Sequence, residues 1–229
     1  MNKLYKKHEL WFVIGLILIY VISNSLCIQY FGNYSYKTAI VNLILVSILT
    51  AFICKNKYLK YFGLVKPKNT RKCLYFIPLV IVACVNLYNG ININNSGIEI
   101  LFYVISMICV GFIEEVIFRG FLFKMIEKTD IERAIIVTSV TFGAGHIVNL
   151  LNGAPMISTL FQIFYAFILG YLFVMIFIKS GSIIPTIIAH SFINATAIFN
   201  INNTFSFYIV PAIIIIIAMI YSEYLRRKC

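Results

Sequence analysis

The sequence predicts an all-α fold, a polytopic membrane helix bundle of about eight transmembrane helices, and three observations carry that reading. Of the 229 residues, 61% are hydrophobic and 12% are charged, against roughly 45–50% and 25% in soluble domains. The apolar residues are gathered into segments close to the roughly 20 residues that a helix needs to cross a bilayer. The Lys and Arg residues fall between those segments in a pattern that one alternating topology explains. A formal charge of +11 would suit a nucleic-acid binder if it lay on one solvated face. Here it is divided among the loops, so no nucleic-acid partner is expected.

The first span, Leu10 to Gln29, follows a basic start, Met1 to His8, that resembles the opening of a signal peptide. The apolar run continues past Tyr20 without a small-x-small cleavage site, so this span is expected to be retained. Spans two and three, Ala39 to Cys54 and Cys73 to Tyr88, are short. Between them, Lys55, Lys57, Lys60, Lys66, Lys68, Arg71 and Lys72 alternate with Tyr58, Leu59, Tyr61, Phe62 and Leu64, apolar bodies suited to an interfacial segment. The plain reading of this loop is a topological retention signal, with attraction to anionic membrane lipid as the second. Span four, Ile98 to Ile126, is unusually long. Spans five to eight run from Ala134 to Leu151, Met156 to Ile178, Ser182 to Phe199 and Phe205 to Tyr221. Turn residues such as Asn89-Gly90 and Asn202-Asn203 mark the loops away from the basic ones. No internal repeat divides the chain, so residues 1–229 are read as a single integral membrane domain.

With the N-terminus inside, Lys3, Lys6, Lys7, the 55–72 run, Lys124, Lys128, Arg133, Lys179 and Arg226 to Lys228 are all cytoplasmic. The opposite connecting loops hold one base, Lys37. The expectation is a multi-pass protein of the cell membrane with both termini cytoplasmic, and the Ile, Asn and Lys bias suggests a bacterial source. The six cysteines, Cys27, Cys54, Cys73, Cys84, Cys109 and Cys229, form no CxxC pair and read as small apolar residues.

Polar groups interrupt three of the spans. Gly111-Phe-Ile-Glu-Glu-Val-Ile-Phe-Arg-Gly120 places two carboxylates and an arginine inside span four, where ionisable groups are costly and mark function by default. Glu115 and Arg119 are four residues apart and share a helix face, whereas Glu114 is turned by about 100°. One carboxylate can neutralise the arginine and leave the other for chemistry. His146 follows Phe142 by four residues in span five, with Gly143, Ala144 and Gly145 offering a thin surface to a neighbouring backbone. Asn194 follows His190 by four in span seven, so these side chains share a face.

Each element has a purely structural alternative. Glu115 and Arg119 can serve as a buried pair that fixes packing, and each histidine as an interhelical hydrogen bonder. Taken together, the groups suit hydrolysis by activated water. Glu114 can remove and return a proton, and His146 can orient or share the water. His190 and Asn194 can donate hydrogen bonds to the oxyanion of a tetrahedral intermediate. No Ser or Cys stands at a spacing that suggests a covalent nucleophile.

Glu114-Glu115-x-x-x-Arg119, Phe142-x-x-x-His146 and His190-x-x-x-Asn194, in this order on three polar spans, resemble the motifs of the CPBP (Abi) family, which holds type II CAAX proteases and bacteriocin-processing and self-immunity proteins. The resemblance covers about residues 100–200. It implies a glutamate-dependent intramembrane endopeptidase without a cofactor, acting on a peptide or membrane-protein substrate such as a peptide precursor awaiting maturation. In it Glu114 and His146 activate water, His190 and Asn194 form the oxyanion site, and Glu115, Arg119 and Phe142 support them. Two other readings stand beside it. One is a zinc metalloprotease using Glu114, His146 and His190, although HExxH is absent. The other is a non-catalytic membrane immunity or adaptor protein. For Glu114 and His146 to meet, span four must extend through about Met125, or the chain after Gly120 must bend.

Overall fold

A computed structural model describes residues 2–201 and 204–227. Met1, Asn202, Asn203, Lys228 and Cys229 lie outside the described residues. The helices are α1 (Asn2–Lys7), α2 (Glu9–Phe31), α3 (Tyr36–Lys55), α4 (Ile77–Ala83), α5 (Gly97–Glu115), α6 (Lys124–Ile126), α7 (Ile131–Gly145), α8 (Val148–Leu151), α9 (Met156–Ser180), α10 (Ile184–Thr196) and α11 (Thr204–Arg227), with no strand among the described residues. The protein is a polytopic helical bundle. Six helical stretches are long and apolar enough to cross a membrane: Glu9–Phe31, Tyr36–Lys55, Gly97–Ile126, Ile131–Leu151, Met156–Ser180 and Ile209–Arg227.

Two of the eight expected spans are shorter. The third, Cys73 to Tyr88, breaks into a 3-10 turn at Leu74–Phe76, the seven residues of α4 and a second 3-10 turn at Val85–Leu87. Left-handed backbone at Leu74, Tyr75 and Phe76 ends any helix arriving from the basic loop, and Pro78 sits in the first turn of α4, where its missing N–H costs nothing. The seventh is the 13-residue α10 followed by a 3-10 turn at Ala197–Phe199.

Contacts define two ends of the bundle. At the first, Lys128 reaches Glu9, Tyr58 bonds Asn2, the Lys68 N–H meets the Ser180 carbonyl, and Tyr221 donates to the Cys73 carbonyl. The described bases of the N-terminus, the 55–72 loop, the α6–α7 turn, Lys179 and the end of α11 gather here. At the other end Tyr34 packs on Tyr103, Ser25 bonds Asn152, Asn149 bonds Gln162, and the Asn92 N–H meets the Phe199 carbonyl.

The 55–72 loop is not a detached interfacial segment. Phe62 is fully buried and packs at a tilt on Phe121 with 4.3 Å between ring centres, with Tyr5 and Tyr58 edge-on around it. The aromatic bodies that suggested a lipid surface instead close the basic end of the bundle, while Leu59 and Tyr61 stay exposed. Within the bundle, fully buried Asn42 of α3 donates to Ser106 of α5 and Asn24 of α2. Such a bond tethers three helices where lipid offers the amide no alternative partner.

Candidate active site

The fourth span carries the site. It begins at a capping box, in which Ser96 and Glu99 satisfy each other's backbone N–H groups, and it runs without a break to Ile126. Its 30 residues correspond to about 45 Å of helix, well over a bilayer core. From Val116 to Phe123 the helix widens into π turns, every residue of which is buried. Such turns are uncommon and recur at functional sites. Of the two ways for Glu114 to meet His146, the helix takes the first: it continues through Met125.

Arg119 lies within the π segment and Glu115 immediately before it, both with no exposure. Arg119 donates from one guanidinium nitrogen to Glu115 Oε1 at 2.9 Å and from the other to the Gly170 carbonyl of α9 at 3.1 Å. Its guanidinium carbon stands 4.2 Å from the Phe142 ring centre and 5.3 Å from that of Phe173. Buried on every side, the cation is met by a carboxylate, a carbonyl and two π faces.

Glu115 has a second task that helical spacing did not reveal. The same Oε1 lies 3.0 Å from His190 Nδ1, while His190 Nε2 lies 3.5 Å from Glu114 Oε2. One imidazole therefore stands between the two adjacent carboxylates. Gly111 permits this approach: a β-carbon there would fall 2.5–2.8 Å from Ser191, including its backbone, so only glycine lets α10 come this close to α5.

Glu114 is only partly buried and faces a cavity of about 560 Å³ that is also lined by His146, His190 and Asn194. A second cavity of about 390 Å³ shares both histidines and Asn194. The four residues expected to carry the chemistry thus border one space, with Glu115 and Arg119 behind them. Tyr20 of α2 completes the arrangement by donating its buried hydroxyl to Glu114 Oε1. Reasoning from the sequence missed Tyr20. It sits in an apolar span far from the motifs, and only its lone hydroxyl hinted at a polar partner.

His146 is not inside a continuous helix, as its span suggested, but caps the C-terminus of α7. The Gly143-Ala-Gly145 run weakens the helix just before it, and α8 resumes at Val148. Its Nδ1 lies 3.2 Å from the Phe142 carbonyl. A carbonyl can only accept, so Nδ1 is the ring nitrogen that donates here. Phe142 lies edge-on to both imidazoles, with ring centres 5.7 Å from His146 and 5.5 Å from His190. The thin surface expected at Gly143 is used: a β-carbon there would be 2.8 Å from the Ile163 carbonyl of α9.

Residues 96–196 match the family model described as Rce1-like, type II CAAX prenyl endopeptidase. This part of the chain is similar to that family. No curated protein and no solved structure matches the chain. The match spans all three motifs and α5 to α10, and leaves Tyr20 and the basic loop outside it. An Rce1-like segment in a multi-pass bundle supports a protease-type membrane enzyme whose substrate is a peptide or a membrane protein.

Proposed function

We propose that the protein is an intramembrane endopeptidase in which Glu114, assisted by His146, activates water against a peptide bond. The observation that carries the reading is the position of Glu114. It is a carboxylate held by Tyr20 and beside His190, facing a cavity while its neighbour Glu115 is committed to Arg119. Glu114 removes a proton from water held near His146 Nε2, the hydroxide adds to the scissile carbonyl, and the new oxyanion receives hydrogen bonds from His190 and Asn194. The proton on Glu114 then passes to the departing amine, and the C–N bond breaks.

Hydrogen bonding sets a condition on His190. With Nδ1–H given to Glu115, Nε2 can donate to an oxyanion only if the ring is an imidazolium. Maturation of a peptide precursor and self-immunity are both uses open to such an enzyme, and mass spectrometry of peptides from cells carrying wild type or Glu114→Gln tests for a processed product.

Tyr20→Phe keeps the ring and removes the bond to Glu114. A hydrogen bond to a charged group contributes about 1.5–3 kcal/mol, so kcat/KM should fall between about tenfold and 150-fold in a peptide-cleavage assay. A variant as active as wild type would remove Tyr20 from the site. Chelation tests the metal alternative. Zinc catalysis wants three ligands and an open position, and no group of three His, Cys, Asp or Glu side chains among the described residues is placed to hold a metal. Cleavage should persist after exhaustive chelation, and activity lost on zinc removal and restored on its return would overturn the glutamate mechanism.

A further inference from the structure

We infer that the catalytic cavity opens on the face opposite the basic one, and so receives an uncharged stretch of peptide from outside the cytoplasmic membrane. What is bound rests on the endopeptidase reading; where the cavity opens does not. The 560 Å³ space is lined mainly from the parts of the helices remote from the bases and from the loops at that end, Asn33 and Asn152 to Ala154. It reaches in as far as Glu114 and Phe118. In α2, Glu9 pairs with Lys128 at the basic end, whereas the cavity takes Tyr20 to Ile28. In the fourth span it takes Tyr103 to Glu114 and, deepest, Phe118 in the π turns, with Lys124 beyond. From α9 it takes Gln162, far from Lys179, and from α10 His190 to Asn194, leading to exposed Ala197.

Exposed Gly153, Gln162 and Ala197 mark the mouth, and among the described residues no Lys or Arg lines the space. Among apolar side chains the walls carry six carboxamides instead: Asn24, Asn33, Asn149, Asn152, Gln162 and Asn194. Each amide offers donors and acceptors, the complement of a peptide backbone without a demand for charge. From Tyr103 to Glu114 the helix rises about 16 Å, the reach of roughly five extended residues. A peptide that enters among the amides therefore brings its fifth residue or so to Glu114. Because the described bases other than Lys37 and buried Arg119 gather at the far end, that end faces the cytoplasm and the mouth faces out. The substrate class is a secreted or membrane-anchored chain whose cleavage segment is already outside.

A membrane-impermeant charged maleimide applied to intact cells tests the opening, using Ala154→Cys at the cavity and Lys60→Cys in the basic loop. Ala154→Cys should gain a label that the parent chain lacks, and Lys60→Cys should gain one only after permeabilisation. Label on Lys60→Cys in intact cells, or on Ala154→Cys only after permeabilisation, would overturn the inference. Labelling needs no turnover. A chain labelled from outside that cleaves nothing loses the peptidase reading alone, whereas a chain that cleaves but takes label at Ala154→Cys only from inside loses this inference alone.

Discussion

Glu114→Gln should abolish cleavage, lowering kcat/KM by at least about a hundredfold, with protein abundance in the membrane unchanged. The estimate follows from general-base catalysis, for which about 10²–10⁴-fold is typical, and from the shape of the site. An amide at position 114 keeps the volume and an oxygen to accept from Tyr20. It also keeps a contact for His190 Nε2, 3.5 Å from the present carboxylate. Only the proton acceptor is lost. Because Glu114 borders a cavity instead of being sealed in the core, no buried charge is left without a partner. Retained turnover would exclude Glu114 as the base, and loss of both turnover and protein would move it to the structural side of the cluster.

The motifs and the bundle were legible in the sequence because charge in hydrocarbon is expensive. Three polar islands in apolar spans could hardly be ornamental, and the offset of four between Glu115 and Arg119 appears as an ion pair at 2.9 Å. Other features depended on contacts between distant residues. Tyr20 reaches Glu114 across 94 positions, and His190 reaches Glu115 across 75. The π turns leave no mark on hydropathy, since Val116 to Phe123 is as apolar as any ordinary span. Hydropathy also did not show that two of the eight expected spans are short helices flanked by 3-10 turns. The stretch from Cys73 to Tyr88 is apolar enough for a helix, but left-handed backbone at its start allows only the short α4. In the aromatic 55–72 loop, Phe62 packs on Phe121, a contact that hydropathy does not reveal.

Arg119→Ala should reduce the folded protein far more than Glu114→Gln does. Its carboxylate partner has no exposure, and Glu115 Oε2 has no hydrogen-bond partner among the described residues even with Arg119 present. Removing one member of a buried pair costs about 3–5 kcal/mol, comparable with a large part of the net stability of a domain. Three further contacts are lost together: the bond to the Gly170 carbonyl and the stacking on Phe142 and Phe173. Those contacts tie the π turns of the fourth span to α7 and α9. Arg119→Lys retains the charge, but a single ammonium cannot serve Glu115 and Gly170 in the geometry of a planar fork or lie flat on Phe142, so it should fall between alanine and wild type. Quantified membrane abundance, with the thermal midpoint of the purified protein, gives the expected order: wild type and Glu114→Gln together, then Arg119→Lys, then Arg119→Ala. Equal abundance for Glu114→Gln and Arg119→Ala would show that Arg119 does not hold the bundle together, and would return Arg119 to the chemistry as a charge that acts on His190 through Glu115.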